Sequence, residues 1–306
     1  MEQWQEHYAI SANLCKEARA SYRKYCLRTQ SMTYEDTPVA DLARSIGRQY
    51  GPAGTWDPEL AKRISFHSFL YLGMAEQHLT GLEALLTQGV AGVPLGPIAR
   101  SIAEASGRAC WLLDNRLGLG RKDARRRVAR LLLDEEDNAQ QYKKIANDFS
   151  APDRARAGDR YSQARKAIRQ PGVFYESEIR PDEKSGSLTL CGEKLPGPSM
   201  FVRLSGEMFG DAVRETNGYY GYMSAMTHPT VFAFIETLSK VADLPENFTM
   251  IPYARDGQFT FKLTANSVRS FHNAWRTWIA WTNTGMDEAT AVHDAFVSAA
   301  AQIDGS

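Results

Sequence analysis

Long stretches of the sequence contain neither glycine nor proline and repeat apolar residues three or four positions apart. Residues 2–29 are the first such stretch, with Tyr8, Cys15, Tyr22 and Cys26 at helical spacing. Apolar residues with this period lie on one face of an α-helix, whereas a strand would need them at every second position. The sequence therefore predicts an all-α fold, built as a multi-helix bundle.

Glycine and proline divide the rest of the chain into further helical segments. Asp57, Pro58 and Glu59 together form a helix start signal, because an N-cap residue precedes a proline and an acidic side chain in the first turn. The pattern predicts helices at about 38–48, 57–88, 95–117, 122–149, 153–169, 198–242 (interrupted near 210–221 and at Pro229), 265–283 and 287–302.

Two segments depart from the helical pattern. The stretch SLTLCGEKL alternates apolar and polar residues, which predicts a small β-hairpin insert near 186–196. Residues 245–263 also contain a segment that is typical of a short strand. We expect an N-terminal helix and linker at 1–56 and a helical bundle at 57–306, together forming one domain.

Composition excludes several classes of protein. The 306 residues contain 36 Lys and Arg against 36 Asp and Glu, so no net charge attracts nucleic acid. No apolar run approaches the roughly 20 residues of a membrane helix, and the first thirty residues lack the apolar segment of a signal peptide. Cysteines without a plausible partner favour a reducing compartment. We therefore expect a cytoplasmic protein that does not enter a membrane.

The helix predicted at 95–117 carries a polar stripe opposite its apolar face. Arg100, Glu104 and Arg108 recur every four residues, and Trp111 continues the stripe. A solvated face with surface ion pairs explains this pattern. The alternative is a half-buried network lining a cleft, in which Arg108 and Arg100 bind an anionic group of a ligand and Glu104 is catalytic.

A second stripe combines a phenol, a hydroxyl and an imidazole. Tyr220, Ser224 and His228 also recur every four residues, immediately before Pro229. A histidine that caps the end of its helix is the structural interpretation. The functional interpretation makes His228 a general acid or base, with Tyr220 and Ser224 as catalytic partners across one cleft from Glu104.

Other candidate ligand-binding residues are aromatic or histidine side chains at helical spacing. His78 shares a stripe with His67 and Tyr71, and Trp278 belongs to a row of tryptophans at steps of three. Such stripes usually pack in the core, and the alternative is that His78, Trp111 and Trp278 line a ligand cavity. The two histidines are too far apart to share a metal, and no metal-binding motif occurs, so we predict neither a metal nor a cofactor.

Charge is concentrated in one part of the chain. Residues 121–169 contain 14 Lys and Arg against 8 Asp and Glu. Arg125, Arg126 and Arg127 offer a surface for phosphates, although pairs such as Arg130 with Asp134 at i, i+4 suit a solvated helix equally well. The acidic run at 131–138 is interpreted as a solvated face.

Four segments together resemble the HEPN-like kind of bacterial all-helical protein: IARSIAEASGRACWLLDNRL, RKDARRRVARLLL, LPGPS and GYYGYMSAMTHP. The resemblance covers roughly residues 60–300 and implies a helical bundle, often a homodimer. In active members it implies an RNA-cleaving site with four to six residues between an arginine and a histidine. This sequence lacks that motif, since only three residues separate Arg63 from His67.

Two functional hypotheses follow. The first is a metal-independent protein that binds or transforms a small anionic or partly apolar molecule in a pocket between the helices predicted at 57–88, 95–117 and 199–242. The second is a HEPN-like module of the RNA-binding or toxin and defence type, which acts through the basic helices at 121–169. The sequence leaves open whether the protein is an enzyme.

Overall fold

The fold was analysed in a computed structural model, which describes residues 3–29, 37–46, 49–51, 54–55, 57–90, 94–169, 174–181, 187–207, 220–221, 223–224, 227, 257–284 and 287–304. Helices dominate these residues. The prediction of an all-α bundle with a small hairpin is confirmed.

The described residues form nine α-helices, most of them within a few residues of the bounds that the sequence predicts. They are α1 (Gln3–Thr29), α2 (Pro38–Ile46), α3 (Glu59–Thr87), α4 (Leu95–Leu113), α5 (Arg121–Ala146), α6 (Ala151–Arg169), α7 (Pro198–Glu207), α8 (Gly257–Thr282) and α9 (Asp287–Asp304).

Five short strands accompany the helices. A ribbon of β1 (Gln49–Gly51) and β2 (Gly54–Thr55) precedes α3. Between α6 and α7, three antiparallel strands follow in chain order: β3 (Ile179–Pro181), β4 (Leu188–Leu190) and β5 (Glu193–Lys194). The predicted hairpin near 186–196 is therefore confirmed as β4 and β5.

Helix α4 lies at the centre of the core and packs against α3, α7 and α8. Small residues allow this close packing. A side chain at Gly107 would place its Cβ only 2.0 Å from the backbone oxygen of Phe201 in α7, so this crossing requires glycine. Trp275 of α8 is fully buried, and α1 packs against α3, α8 and α9.

One predicted helix end and one predicted strand are wrong. Helix α4 ends at Leu113 rather than near 117, because Asp114 adopts a positive φ of 27° that ends the helical hydrogen bonding. The strand predicted within 245–263 is not present in the part that the structure describes, since α8 begins at Gly257. Phe261 and Leu263 are buried there, and tertiary packing selects the helix over the local alternation.

In the described ranges, no helix has the length and the apolar character that crossing a bilayer would require.

Candidate functional site

A cavity of about 650 Å³ opens where the start of α5 meets the three-stranded sheet. Its walls come from the first two turns of α5, from the 3-10 turn that precedes β3, and from the β4–β5 hairpin. The lining residues are Arg121, Lys122, Arg125, Arg126, Ser177, Glu178, Arg180, Thr189, Cys191 and Gly192. Five of these side chains are cationic and one is a carboxylate, so the cavity favours an anion.

The cations of α5 share one helical face because of their spacing. Arg121 and Arg125 lie one turn apart, as do Lys122 and Arg126. The helix begins after Gly120, and the Asp123 carboxylate accepts a hydrogen bond from the Gly118 N–H at 3.0 Å. Positive side chains at a helix N-terminus oppose the macrodipole. This arrangement costs stability, which a bound anion would restore.

The cationic side chains differ in how they are held. Arg125 forms an ion pair with Glu178 and lies over the rings of Phe174 and Tyr175, at 5.8 and 5.4 Å from their centroids. Arg126 pairs with Glu193 of β5. By contrast, Arg121 and Lys122 are exposed and form no ion pair with any residue that the structure describes. These two are the cations most available to a ligand.

The hairpin side of the cavity is formed by a tight two-residue turn. Cys191 and Gly192 both have positive φ, of 50° and 77°, and this combination suits the right-handed twist of paired strands. The Cys191 N–H donates to the Glu178 carbonyl oxygen at 3.1 Å. Burial raises the pKa of the Cys191 thiol to about 12, with Glu178 adding to the shift and Arg125 opposing it.

Two further arginines of α5 lie inside the protein. Arg127 is 1% exposed and donates to four backbone oxygens, those of Leu113 (3.1 Å), Asp114 (3.1 Å), Leu117 (2.6 Å) and Gly118 (2.5 Å). Its guanidinium also lies over the ring of Trp281, 4.8 Å from the centroid, and burial lowers its pKa to about 10. Arg127 therefore caps the carbonyl end of α4 and the loop that follows.

Arg130 extends the same interior network. It donates to the Trp111 carbonyl oxygen at 2.6 Å and pairs with Asp114 at 2.9 Å and with Glu193 at 2.8 Å. The predicted pair of Arg130 with Asp134 is wrong, because Arg130 turns toward the loop after α4. Arg127 and Arg130 thus contribute no charge to a phosphate-binding surface.

The predicted stripe on α4 is divided between two partners. Glu104 pairs with Arg100 at 2.6 Å, and the Arg100 guanidinium lies 5.3 Å from the centroid of the Tyr220 ring. Arg108 instead pairs with Asp134 (3.1 Å) and Asp137 (2.8 Å) of α5. The expectation that one carboxylate, Glu104, lies between two guanidiniums is therefore wrong, because the carboxylates of α5 attract the second one.

Tyr220 does lie beside the α4 stripe, as the hypothesis of two facing polar stripes requires. Ser224 is half-buried, and its described surroundings include no catalytic partner. His228 lies outside the described residues, so the proposed pairing of His228 with Glu104 stays a prediction.

The remaining predicted ligand residues do not line the cavity. Trp111 is buried between the Phe201 ring and Arg130, and Trp278 is buried with its ring 5.8 Å from that of Phe69. His78 is half-buried on α3, and burial lowers its pKa. The structure thus places both tryptophans in the core and His78 at its edge.

A buried carboxylate was missed by the sequence analysis. Asp134 is fully buried and accepts hydrogen bonds from Tyr71 (2.7 Å), Arg108 (3.1 Å) and Asn138 (3.0 Å), and it contacts the Nδ1 atom of His67 at 3.0 Å. The solvated-face interpretation is wrong at this position. Asp134 follows Arg127 and Leu131 on one face of α5, and this helical period was the signal that it points inward.

The chain matches no known family, and neither characterised proteins nor solved structures show significant similarity to it. Among the described residues, no group of three or more His, Cys, Asp or Glu side chains could hold a metal ion.

Proposed function

We propose that the protein binds a small anionic molecule in the cavity between α5 and the three-stranded sheet. The observation that carries this proposal is the lining, in which, among the residues that the structure describes, five cations face a volume of about 650 Å³ and one carboxylate opposes them. Cavities of roughly 300 to 1,000 Å³ are typical of small-molecule sites. Guanidinium groups bind carboxylates and phosphates through paired hydrogen bonds, which gives both charge and geometry.

The cavity differs in location from the pocket that the sequence suggests among α3, α4 and the region around Tyr220. The chemistry is the same, because both hypotheses use guanidinium groups to bind an anion without a metal. The Arg108 of the sequence hypothesis is engaged by Asp134 and Asp137, whereas Arg121 and Lys122 are open to a ligand. This difference favours the cavity at α5.

Calorimetric titration with inorganic pyrophosphate tests the proposal. We expect binding that weakens with added salt, and the double variant Arg121→Gln, Lys122→Gln should lose at least about tenfold in affinity. A matched control is Lys143→Gln, Lys144→Gln, which removes the same charge from the exposed far end of α5. Equal losses in both variants would show nonspecific attraction and would contradict a site in the cavity.

Alkylation of Cys191 locates the ligand. Pyrophosphate in the cavity should slow the reaction of Cys191 with N-ethylmaleimide. Site-resolved mass spectrometry measures the rate at each cysteine. Cys26, half-buried on α1, is the internal comparison and should react at an unchanged rate. Protection of both thiols, or of neither, would contradict binding in this cavity.

RNA binding is the second candidate, since α6 exposes Arg154, Arg156, Arg160 and Lys166 beyond the cavity. Filter binding of a single-stranded RNA should then fall steeply between low and physiological salt, because phosphate neutralisation releases counterions. Binding that is flat over this range would remove this candidate.

The HEPN-like relationship, a homodimer and a cytoplasmic location stay predictions from the sequence. Sedimentation equilibrium of the purified chain tests the homodimer, and a mass equal to one chain would contradict it.

A further inference from the structure

Glu178 is the one carboxylate among the described residues that line the cavity, and its two oxygens have different surroundings. The Oε2 atom accepts both hydrogen bonds, from an Arg125 guanidinium nitrogen and from the Tyr175 N–H, the latter at 2.8 Å. Across the described residues, no N–H or O–H group donates to the Oε1 atom. The carboxylate is therefore anchored through one oxygen and retains acceptor capacity on the other.

The anchor is rigid. The Arg125 side chain is 9% exposed and lies over two aromatic rings, while the Glu178 side chain is 25% exposed. The Glu178 carbonyl oxygen also accepts the Cys191 N–H, which ties this residue to the hairpin turn. A ligand that enters the cavity thus meets a fixed negative acceptor. The Cys191 thiol is a hydrogen-bond partner of this carboxylate, although a thiol is a weak donor that a hydroxyl can displace.

A fixed carboxylate in a cationic cavity imposes two requirements on a ligand. The anionic part must lie against Arg121, Lys122 and Arg180, away from Glu178, because like charges repel. The part beside Glu178 must donate a hydrogen bond, since an acceptor or an apolar group would leave a charged oxygen desolvated without compensation. The hydroxyls of Ser177 and Thr189 in the same lining add partners for a polar ligand.

We infer that the ligand is a hydroxylated organic anion, such as a sugar phosphate or polyol phosphate, whose hydroxyl donates a hydrogen bond to Glu178. This inference rests on the proposed anion binding and adds to it the chemistry of the uncharged part of the ligand. Glu178 is then the specificity-determining residue, and the cations supply affinity that is common to all phosphates.

Two phosphate monoesters of the same charge and carbon chain test this assignment. Glycerol 3-phosphate carries two hydroxyls, and n-propyl phosphate carries none. In calorimetric titrations of the full chain, glycerol 3-phosphate should bind on the order of tenfold more tightly, as expected for a hydrogen bond to a charged acceptor. Equal affinities, or tighter binding of propyl phosphate, would overturn the assignment while leaving anion binding in place.

The variant Glu178→Gln identifies the acceptor. Removing the negative charge should raise the affinity for propyl phosphate and reduce the preference for glycerol 3-phosphate to about twofold or less. The control Glu176→Gln changes an exposed carboxylate in the same 3-10 turn, outside the lining, and should keep the wild-type ratio. A preference that survives in Glu178→Gln would overturn the role of this residue. If neither ester nor pyrophosphate binds the wild-type protein, anion binding fails and this inference fails with it.

Discussion

The basic side chains of α5 include two contrasting sets that the sequence RKDARRRVAR does not distinguish. Arg127 and Arg130 are at most 5% exposed and are surrounded by fixed backbone and carboxylate oxygens. Arg121 and Lys122, in the first turn of the same helix, are exposed at the edge of a cavity. In the first set the protein supplies the acceptors, whereas in the second set water or a ligand supplies them.

This difference teaches how to interpret a basic helix. A guanidinium whose donors all have internal partners stabilises the fold, and its charge is not available to phosphate. A cation at a helix N-terminus opposes the dipole and is exposed, which is an arrangement expected where function is favoured over stability. Counting charges over residues 121–169 therefore overstates the surface that can bind an anion.

Among substitutions that affect the two buried arginines, Arg127→Met has the largest expected effect on the free energy of unfolding. Methionine fills part of the volume but leaves four backbone oxygens without their donor, and we expect the free energy of unfolding to fall by about 3 kcal/mol or more. Urea denaturation followed by circular dichroism measures it. A loss below about 1 kcal/mol would mean that water or other donors replace the guanidinium, and the distinction between the two sets would weaken.

The variant Asp114→Asn tests the buried arginine network through the pH dependence of the free energy of unfolding. Burial raises the pKa of Asp114, but hydrogen bonds from Arg116 and Arg130 outweigh it, so the pKa is lowered overall. A lowered pKa contributes stability above the unfolded value of about 3.9, and this contribution is lost as the pH falls through the folded pKa. We expect the variant to be about 2 kcal/mol less stable at pH 7 and to approach the wild type as the pH falls below the unfolded pKa and through the lowered folded pKa.

Asparagine also tolerates the positive φ at this position, so the substitution changes charge without adding backbone strain. A difference from the wild type that stays constant from pH 7 to pH 3 would show that the charge of Asp114 is not the cause.

The double variant Arg121→Gln, Lys122→Gln has the smallest expected effect on stability, and this effect is a gain where the other variants show a loss. Removing two cations from the positive end of α5 should raise the free energy of unfolding by a few tenths of a kcal/mol in the absence of ligand. Thermal unfolding at low ionic strength measures it. A clear loss of stability would show that these side chains have internal partners as well, which would erase the contrast with Arg127.

Much of the fold follows from local sequence. The breaker-free stretches predicted α3, α5 and α6 closely, and the alternation in SLTLCGEKL predicted the β4–β5 hairpin. The end of α4 and the start of α8 were not predicted correctly. The end of α4 depends on Arg127 of α5, which binds the carbonyl oxygens from Leu113 onward. The start of α8 depends on the burial of Phe261 in the core.

The site was less predictable than the fold, for a physical reason. The sequence indicated a concentration of positive charge after residue 120, but burial decides which charges are open, and burial depends on partners distant in sequence. Glu193 pairs with both Arg126 and Arg130, and Asp134 pairs with Arg108. The helical periodicity of α5 alone could have predicted that Asp134 is buried. No pattern in the neighbouring sequence indicated that Glu178 would line a cavity.

The hydrogen bonds by which Arg127 caps the end of α4 have a consequence for the order of folding. They join α5 to carbonyls at 113–118, only 9 to 14 residues away in the chain, so these contacts close short loops with little loss of chain entropy. The described lining of the cavity lies between Arg121 and Gly192. Helix α8, which completes the core around Trp275, is translated much later. Because synthesis proceeds from the N-terminus, the nascent chain can form the cavity region before its own core is complete. An anion present in the cell would then act on the growing chain as well as on the finished protein.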